Sequence, residues 1–299
     1  MAALDVSIWN GGTDVKYTTA ANWTPAGVPA DAAILVFNDQ AQGPMTDEMI
    51  AGDIAAKAHS VIVDRGFKYH IGSVTEPLEP ANGFGTIVFA GSGTTSSYFR
   101  VDAEKTCTRV FIDSPSSKED VCVLMADGSY DDIVVRNGKG RLYTGASVTS
   151  GGRIRTLGGT GNSSAQFTID ASCTLTGTTL DVAGGRCTTS TTPITASVRN
   201  SGELILADTA GVSTLLEMLG GICYWDAASS TLAKVEAFGG QLITRSDRQS
   251  RVITNMDTYG AAIVDFSIGG YTINFSNAPR VLGDNPIKMP PGLTVTYAA

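Results

Sequence analysis

The chain has 299 residues, 42% of them hydrophobic and 17% charged, with a formal net charge of −8 and a pI near 4.8. That balance excludes a disordered chain, which lacks the apolar residues to form a core, and it argues against tracking free DNA or RNA, which takes clustered Lys and Arg. No run of about 18 apolar residues occurs, and the opening "MAALDVSIWNGG" lacks a basic segment followed by an apolar one, so neither a membrane span nor a secretion signal is expected.

Thr, Ser, Gly, Val and Ala dominate over Glu, Lys and Leu. β-Branched residues lose χ1 freedom in a helix and pack well on a pleated sheet, so the expected class is all-β. The five cysteines, Cys107, Cys122, Cys173, Cys187 and Cys223, are odd in number and form no Cys-x-x-Cys pair. They read as reduced, buried, small hydrophobes of a protein folded in a reducing cytoplasm.

Along the chain, residues 1–60 stand apart as an N-terminal cap or attachment region. They hold "NWTPAGVPADAAILVF" (22–37) and one stretch with helical spacing, "MTDEMIAGDIAAKAHS" (45–60). There Thr46 or Asp47 could cap a short helix, Met49, Ile50, Ile54 and Ala58 share a face, and His59 sits at the C-terminal end, where a cation favours the dipole. From residue 61 to 276 short apolar runs alternate with period two: "TIVFAG", "RVFIDS", "DIVVRNG", "FTIDAS", "TLDVAGG", "ELILAD", "QLITRS". Each is bounded by Gly, Ser, Asn or Asp, the punctuation of strands joined by tight turns.

Within this region paired glycines recur between apolar runs: Gly184 and Gly185, Gly220 and Gly221, Gly239 and Gly240, Gly269 and Gly270. The second glycines are 36, 19 and 30 residues apart. A coil of a parallel solenoid takes roughly 20–30 residues, so the spacing fits coils with loop insertions. A coil must turn sharply between two faces without disturbing its neighbours, and glycine reaches φ > 0 without a Cβ penalty. Around such corners Val235, Ala237 and Leu242 would point inward, as would Leu216 and Met218 with Ile222 or its neighbour. The expectation is a right-handed parallel β-solenoid, with hairpin glycines in an antiparallel sandwich as the alternative. The last stretch, 277–299, carries four of the 11 prolines and reads as a capping tail for an open end.

A search for chemistry finds little. Only His59 and His70 are present, and no nucleophile elbow, metalloprotease, Walker or dinucleotide fingerprint occurs. No catalytic residue, cofactor or metal site is therefore expected, and His70 reads as a half-exposed strand residue. One enzymatic possibility is a sugar-cleaving face. Asp170, Asp181, Glu236 and Asp265 are its outward candidates, Asp181 and Glu236 the pair to test, with Arg245 or Arg251 as charge partners; such chemistry needs two carboxyls about 5–9.5 Å apart. Tyr224, Trp225, Tyr259, Tyr271 and Phe275 form a second candidate, an aromatic surface for a sugar or a protein neighbour, or else the covering of core ends.

The N-terminal combination "WNGGTDVKYTTAANWTPAGVPADAAILVF" followed by "SVIVDRGFKYHIGSVTEPL" resembles bacteriophage virion structural proteins and, more loosely, the opening coils of autotransporter passengers. Trp9, Gly12, Asn22, Trp23, Gly27, Pro29, Asp31, Phe37, Gly66, Ile71, Gly72 and Leu78 carry the likeness, which covers about the first 80 residues. Trp9 and Trp23 are apolar plates able to cover a first coil, and Pro25 and Pro29 deny donors to a further strand. The phage resemblance implies a non-enzymatic particle component: a capsid decoration protein, a head fibre or a spike, made in the host cytoplasm. It implies a homotrimer and the major capsid protein, or another virion protein, as partner. The alternative is a tailspike or adhesin that binds or cleaves surface polysaccharide.

Overall fold

The computed structural model describes residues 5–47, 58–125, 128–158, 165–245, 250–268 and 273–289. Among them the only helical element is one 3-10 turn, Ala20–Asn22, and the rest of the regular structure is short strands. The strands pair in parallel at long, regular intervals, so the fold is a β-solenoid and the sandwich alternative is excluded. Two compact units divide the chain at Thr149 and Ser150.

In the first unit, one ladder of parallel strands runs Val6–Trp9, Ile34–Phe37, His59–Val63, Phe84–Phe89, Thr106–Asp113 and Ser129–Asn137. Val6 pairs with Ile34, 28 residues on, and Arg109 with Asp132, 23 residues on, so each coil takes that length. A second ladder joins Ser97–Arg100, Cys122–Met125 and Lys139–Leu142. The coils exist because alternate residues bury on one another: Leu35, Val61, Ile87, Val110 and Ile133 stack in register, all fully buried. Each such side chain contributes about 1.5–3 kcal/mol of burial.

The first coil is closed by aromatic side chains. Trp23–Thr24 pairs antiparallel with Ile8 and Trp9 across the outer edge. The Trp9 and Trp23 rings meet edge to face at 5.1 Å, with Nε1 of Trp9 donating to Gly43 O and Nε1 of Trp23 to Tyr17 O. Neighbouring Asn22, fully buried, accepts from the Thr13 amide and donates to Lys16 O and Asp14 Oδ1. Pro29 is buried as well.

Met45 and Asp47 form bridges with Ile71 and Lys16, and the Thr46 amide donates to Val15 O; residues 48–57 of the helical expectation, with Met49, Ile50 and Ile54, lie outside the described residues, and with them the cap expected of Thr46 or Asp47. One expectation for this region changes. His59 opens a strand instead of ending a helix. It is 1% exposed, its Nε2 meets the Tyr17 hydroxyl at 2.9 Å and its Nδ1 lies 3.3 Å from Ala33 O. The core claims this side chain because it is in phase with Val61 and Val63.

In the second unit, Arg153–Leu157 of the strand Ser147–Leu157 begins a ladder that continues through Thr179–Gly184, Thr195–Val198, Leu215–Trp225, Thr231–Ile243, Arg251–Gly260 and Arg280–Gly283. The shortest coils are here, Thr179 pairing with Thr195 and Thr195 with Leu215. Another ladder buries Phe167, Cys187, Leu204, Cys223, Leu242 and Val264 in one column, so two cysteines serve as small core residues between larger ones. All five cysteines are free and buried. Val235, Ala237, Leu242, Leu216 and Met218 point inward, and Cys223, not Ile222, completes that set.

The glycine doublets lie where the chain passes from one ladder to the next. Gly185, Gly221 and Gly240 have φ of +68°, +63° and +74°, and the backbones of adjacent coils touch there: a Cβ on Gly240 would lie 2.5 Å from the Gly220 carbonyl. Gly184 packs on Gly158, Gly221 on Gly202 and Gly239 near Leu219, so the corner is a stack of side-chain-free backbone. Gly269 and Gly270 lie outside the described residues. Parallel pairing begins at Val6 in the first unit and is still present at Gly283 in the second, so coils occupy parts of both end segments that the sequence pattern sets apart.

Candidate functional site

The second unit holds most of the residues that sequence reasoning put forward. On its first ladder one outward column reads Asp181, Ser197, Glu217, Glu236, Asp257 and Arg280, each the register partner of the next. Asp181 and Glu236 are therefore three coil steps apart, about 14 Å at ~4.8 Å per step, beyond the span of a glycosidase pair. Their carboxylates are also engaged: Asp181 with Arg199, and Glu236 with Lys234. Asp257, 5% exposed, receives two hydrogen bonds of 2.6 Å from Arg280, whose guanidinium holds the carboxyl below the usual carboxylate range.

The other candidates do not join this column. Asp265 lies on a different ladder, where the Ser267 hydroxyl and Lys288 lower its pKa. Asp170 follows the strand Gln166–Ile169 into a turn. Arg245 pairs with Asp226 and covers the half-buried Tyr224 ring at 3.7 Å. Arg251 is a correction: it is fully buried, its Nε donates to Ala227 O at 2.8 Å, and it faces Trp225, because it is in phase with the inward Ile253.

The aromatic surface also separates. Trp225 is fully buried, with its Nε1 donating to Ser230 Oγ at 2.7 Å, and so offers no partner surface; alternation sends it inward where Tyr224 points out. Phe275 is buried in the same way. Tyr259 stacks on Phe238 with centroids 4.6 Å apart, and Phe238 and Leu282, 44% and 62% exposed, continue an apolar ridge beside the charged column. Tyr271 lies outside the described residues. Of the predicted surface residues, Tyr224 and Tyr259 remain.

A shallow groove of about 650 Å3 in the same unit is lined by hydroxyls, among them Ser172, Thr176, Thr191 and Ser213, with no charged side chain. Part of that lining serves the fold, since Thr191 Oγ1 donates to Asp170 O and Ser213 Oγ to Pro193 O. No group of three or more His, Cys, Asp or Glu side chains able to hold a metal occurs among the described residues. His70, in the first unit, is half-buried, and desolvation lowers its pKa, which favours the neutral imidazole.

The first unit carries a face that the sequence reading missed. Ile8, Val36, Ile62, Val88, Phe111 and Val134 occupy successive coils in direct register, between the inward columns. Outward positions of a solvated sheet are ordinarily polar. Here six in a row are apolar, with Ile62 38% exposed, Ile8, Val36, Val88 and Phe111 half-buried and Val134 buried. An apolar strip of this kind marks a protein contact more readily than a site for a small polar substrate.

Compared with known proteins, the chain matches no protein-family model, no curated protein and no solved structure.

Proposed function

We propose that this chain is a non-enzymatic structural protein of a bacteriophage particle, a decoration protein that binds the outside of the head and braces it, with the major capsid protein as partner. The observation that carries the reading is the apolar outward column of the first unit, a surface whose burial against another protein removes Val, Ile and Phe from water without stranding charge. The engagement of Asp181, Glu236 and Asp257 with basic partners supports it, since each carboxylate is already taken up by a neighbouring side chain. Five buried free thiols fit assembly in the host cytoplasm. The N-terminal resemblance supplies the phage context.

A second reading, a spike that binds polysaccharide, draws on the Phe238–Tyr259 ridge beside the polar groups of Asn255, Asp257, Asn277 and Arg280. Co-sedimentation with shells of the major capsid protein, and the temperature at which decorated shells open, separate the two. Binding that raises shell stability is expected. Failure to bind shells together with retention on host polysaccharide would replace decoration by the spike.

A further inference from the structure

The flanks of the apolar column carry a charge pattern that specifies how a second copy of the chain would meet it; the inference rests on the reading that this column binds protein. In the strand Thr106–Asp113 the outward residues are Arg109, Phe111 and Asp113, and in the next coil, Ser129–Asn137, they are Asp132, Val134 and Arg136. The order of signs reverses from one coil to the next. Within the chain this places Arg109 3.4 Å from Asp132, while Asp113 takes Arg65 at 3.0 Å and Arg136 at 3.9 Å. The three arginine side chains remain 62–67% exposed, and one carboxylate does not exhaust the five donors of a guanidinium.

A two-fold rotation about an axis parallel to the column exchanges left and right flanks and keeps each coil at its own height. Face to face under that operation, Arg109 meets Asp113 of the second copy and Asp132 meets its Arg136, in both directions. The apolar column then packs on itself along the axis. A two-fold contact requires a self-complementary patch, and the antisymmetric rows Arg–Phe–Asp and Asp–Val–Arg are of that kind. In a chain of net charge −8, two copies repel over most of their surface, whereas on this face Arg65, Arg109 and Arg136 balance Asp64, Asp113 and Asp132.

We propose that the outward apolar column of the first unit is a homodimer interface, formed by two copies packed sheet to sheet about a two-fold axis parallel to the column. Six coils at ~4.8 Å span about 24 Å, and with flanks and arginine arms the strip covers on the order of 500 Å2 per copy, against about 800 Å2 for a standard stable interface. The dimer is therefore reversible and dissociates on dilution. The trimer implied by the phage resemblance would need a different surface, because a three-fold ring joins two unlike patches.

The test is sedimentation equilibrium of the full chain over a concentration series, beside Val88→Lys. Parent protein should approach dimer mass, and the variant, which sets a charge on the axis, should dissociate at least ~10-fold more readily while keeping its β-sheet circular dichroism. The axis itself is tested by a short thiol-to-thiol cross-linker, the native cysteines being buried. Val88→Cys, on the axis, should link to its own counterpart, whereas Thr86→Cys, on the flank, should not. A monomer at every concentration, a trimer, a dimer indifferent to Val88→Lys, or equal linking at both positions overturns the interface. A second copy and the shell would claim the same column, so Val88→Lys is also carried through the co-sedimentation assay: loss of the dimer with shell binding kept assigns the column to the second copy and the shell to another surface, whereas loss of shell binding by a chain that is monomeric at every concentration assigns the column to the capsid protein and overturns the dimer.

Discussion

Gly240→Ala should destabilise the second unit by about 2–5 kcal/mol, whereas Gly239→Ala, one residue away, should cost less than about 1 kcal/mol. At Gly240 φ is +74°, where an L-residue costs about 1–2 kcal/mol. The new methyl would also stand 2.5 Å from the carbonyl carbon and oxygen of Gly220, backbone that cannot swing aside, and overpacking of that kind adds about 1–3 kcal/mol. Gly239 lies outside the left-handed region, and its nearest neighbour is Leu219 O at 3.4 Å, an ordinary contact. Gly151 isolates the backbone contribution: φ is +85° and nothing lies within 4 Å of its Cβ position, so Gly151→Ala should fall between the other two. Urea unfolding followed by circular dichroism measures all three differences. If Gly240→Ala proves no worse than Gly151→Ala, close approach of the coils contributes nothing at the corner and the account given for the doublets is wrong.

The hydroxyls of Thr156 and Thr258 are buried without a hydrogen-bond partner, so Thr156→Val and Thr258→Val should each stabilise the fold by about 1 kcal/mol in the same assay; a loss of stability at either would contradict this. Burial pushes the Cys107 and Cys187 thiols up to about 12 and raises those of Cys122 and Cys223 as well. Native protein at pH 8 should leave these four unreacted with a thiol reagent such as DTNB, and denatured protein should release all five; rapid native reaction at any of the four would refute it. Asp257 has a folded pKa below the ordinary 3.8, so its pairing with Arg280 stabilises the fold above the unfolded value and fades as pH falls through the folded one. Asp257→Asn should therefore unfold earlier than the parent at pH 7, the gap narrowing as pH falls below the ordinary carboxylate value; a gap independent of pH would count against the ion pair.

Coil architecture was legible in the sequence because its determinants are local. A doublet such as Gly220 and Gly221 turns the chain wherever it lies, and strict alternation in "TLDVAG" or "ELIL" assigns Leu180, Val182, Leu204 and Leu206 to the core with no knowledge of their neighbours. The outward column had a signal too. In the first unit the runs are continuous, as in Val61, Ile62 and Val63 or Val110, Phe111 and Ile112, which is the mark of a strand apolar on both faces. Reading them as period two assigned the inward half and overlooked the other. Arg251 and Trp225 illustrate a related limit. Their side is set by strand phase, which for Trp225 is shifted at the glycine corner between Leu219 and Ile222.

Which outward residues become neighbours depends on the length of every intervening coil. Val88 meets Phe111 and Ile62 because coils of 23 and 26 residues return the chain to the same height on the same face, a distance over which no local preference acts. The same count holds Asp181 and Glu236 apart and sets Arg109 beside Asp132. The chain by itself determined that it winds, where it turns and which side chains it shelters, because φ preference and burial are properties of single residues. Only the stacked structure decided what its outer faces present, because a face is assembled from residues sixteen or more positions apart, brought together by register alone.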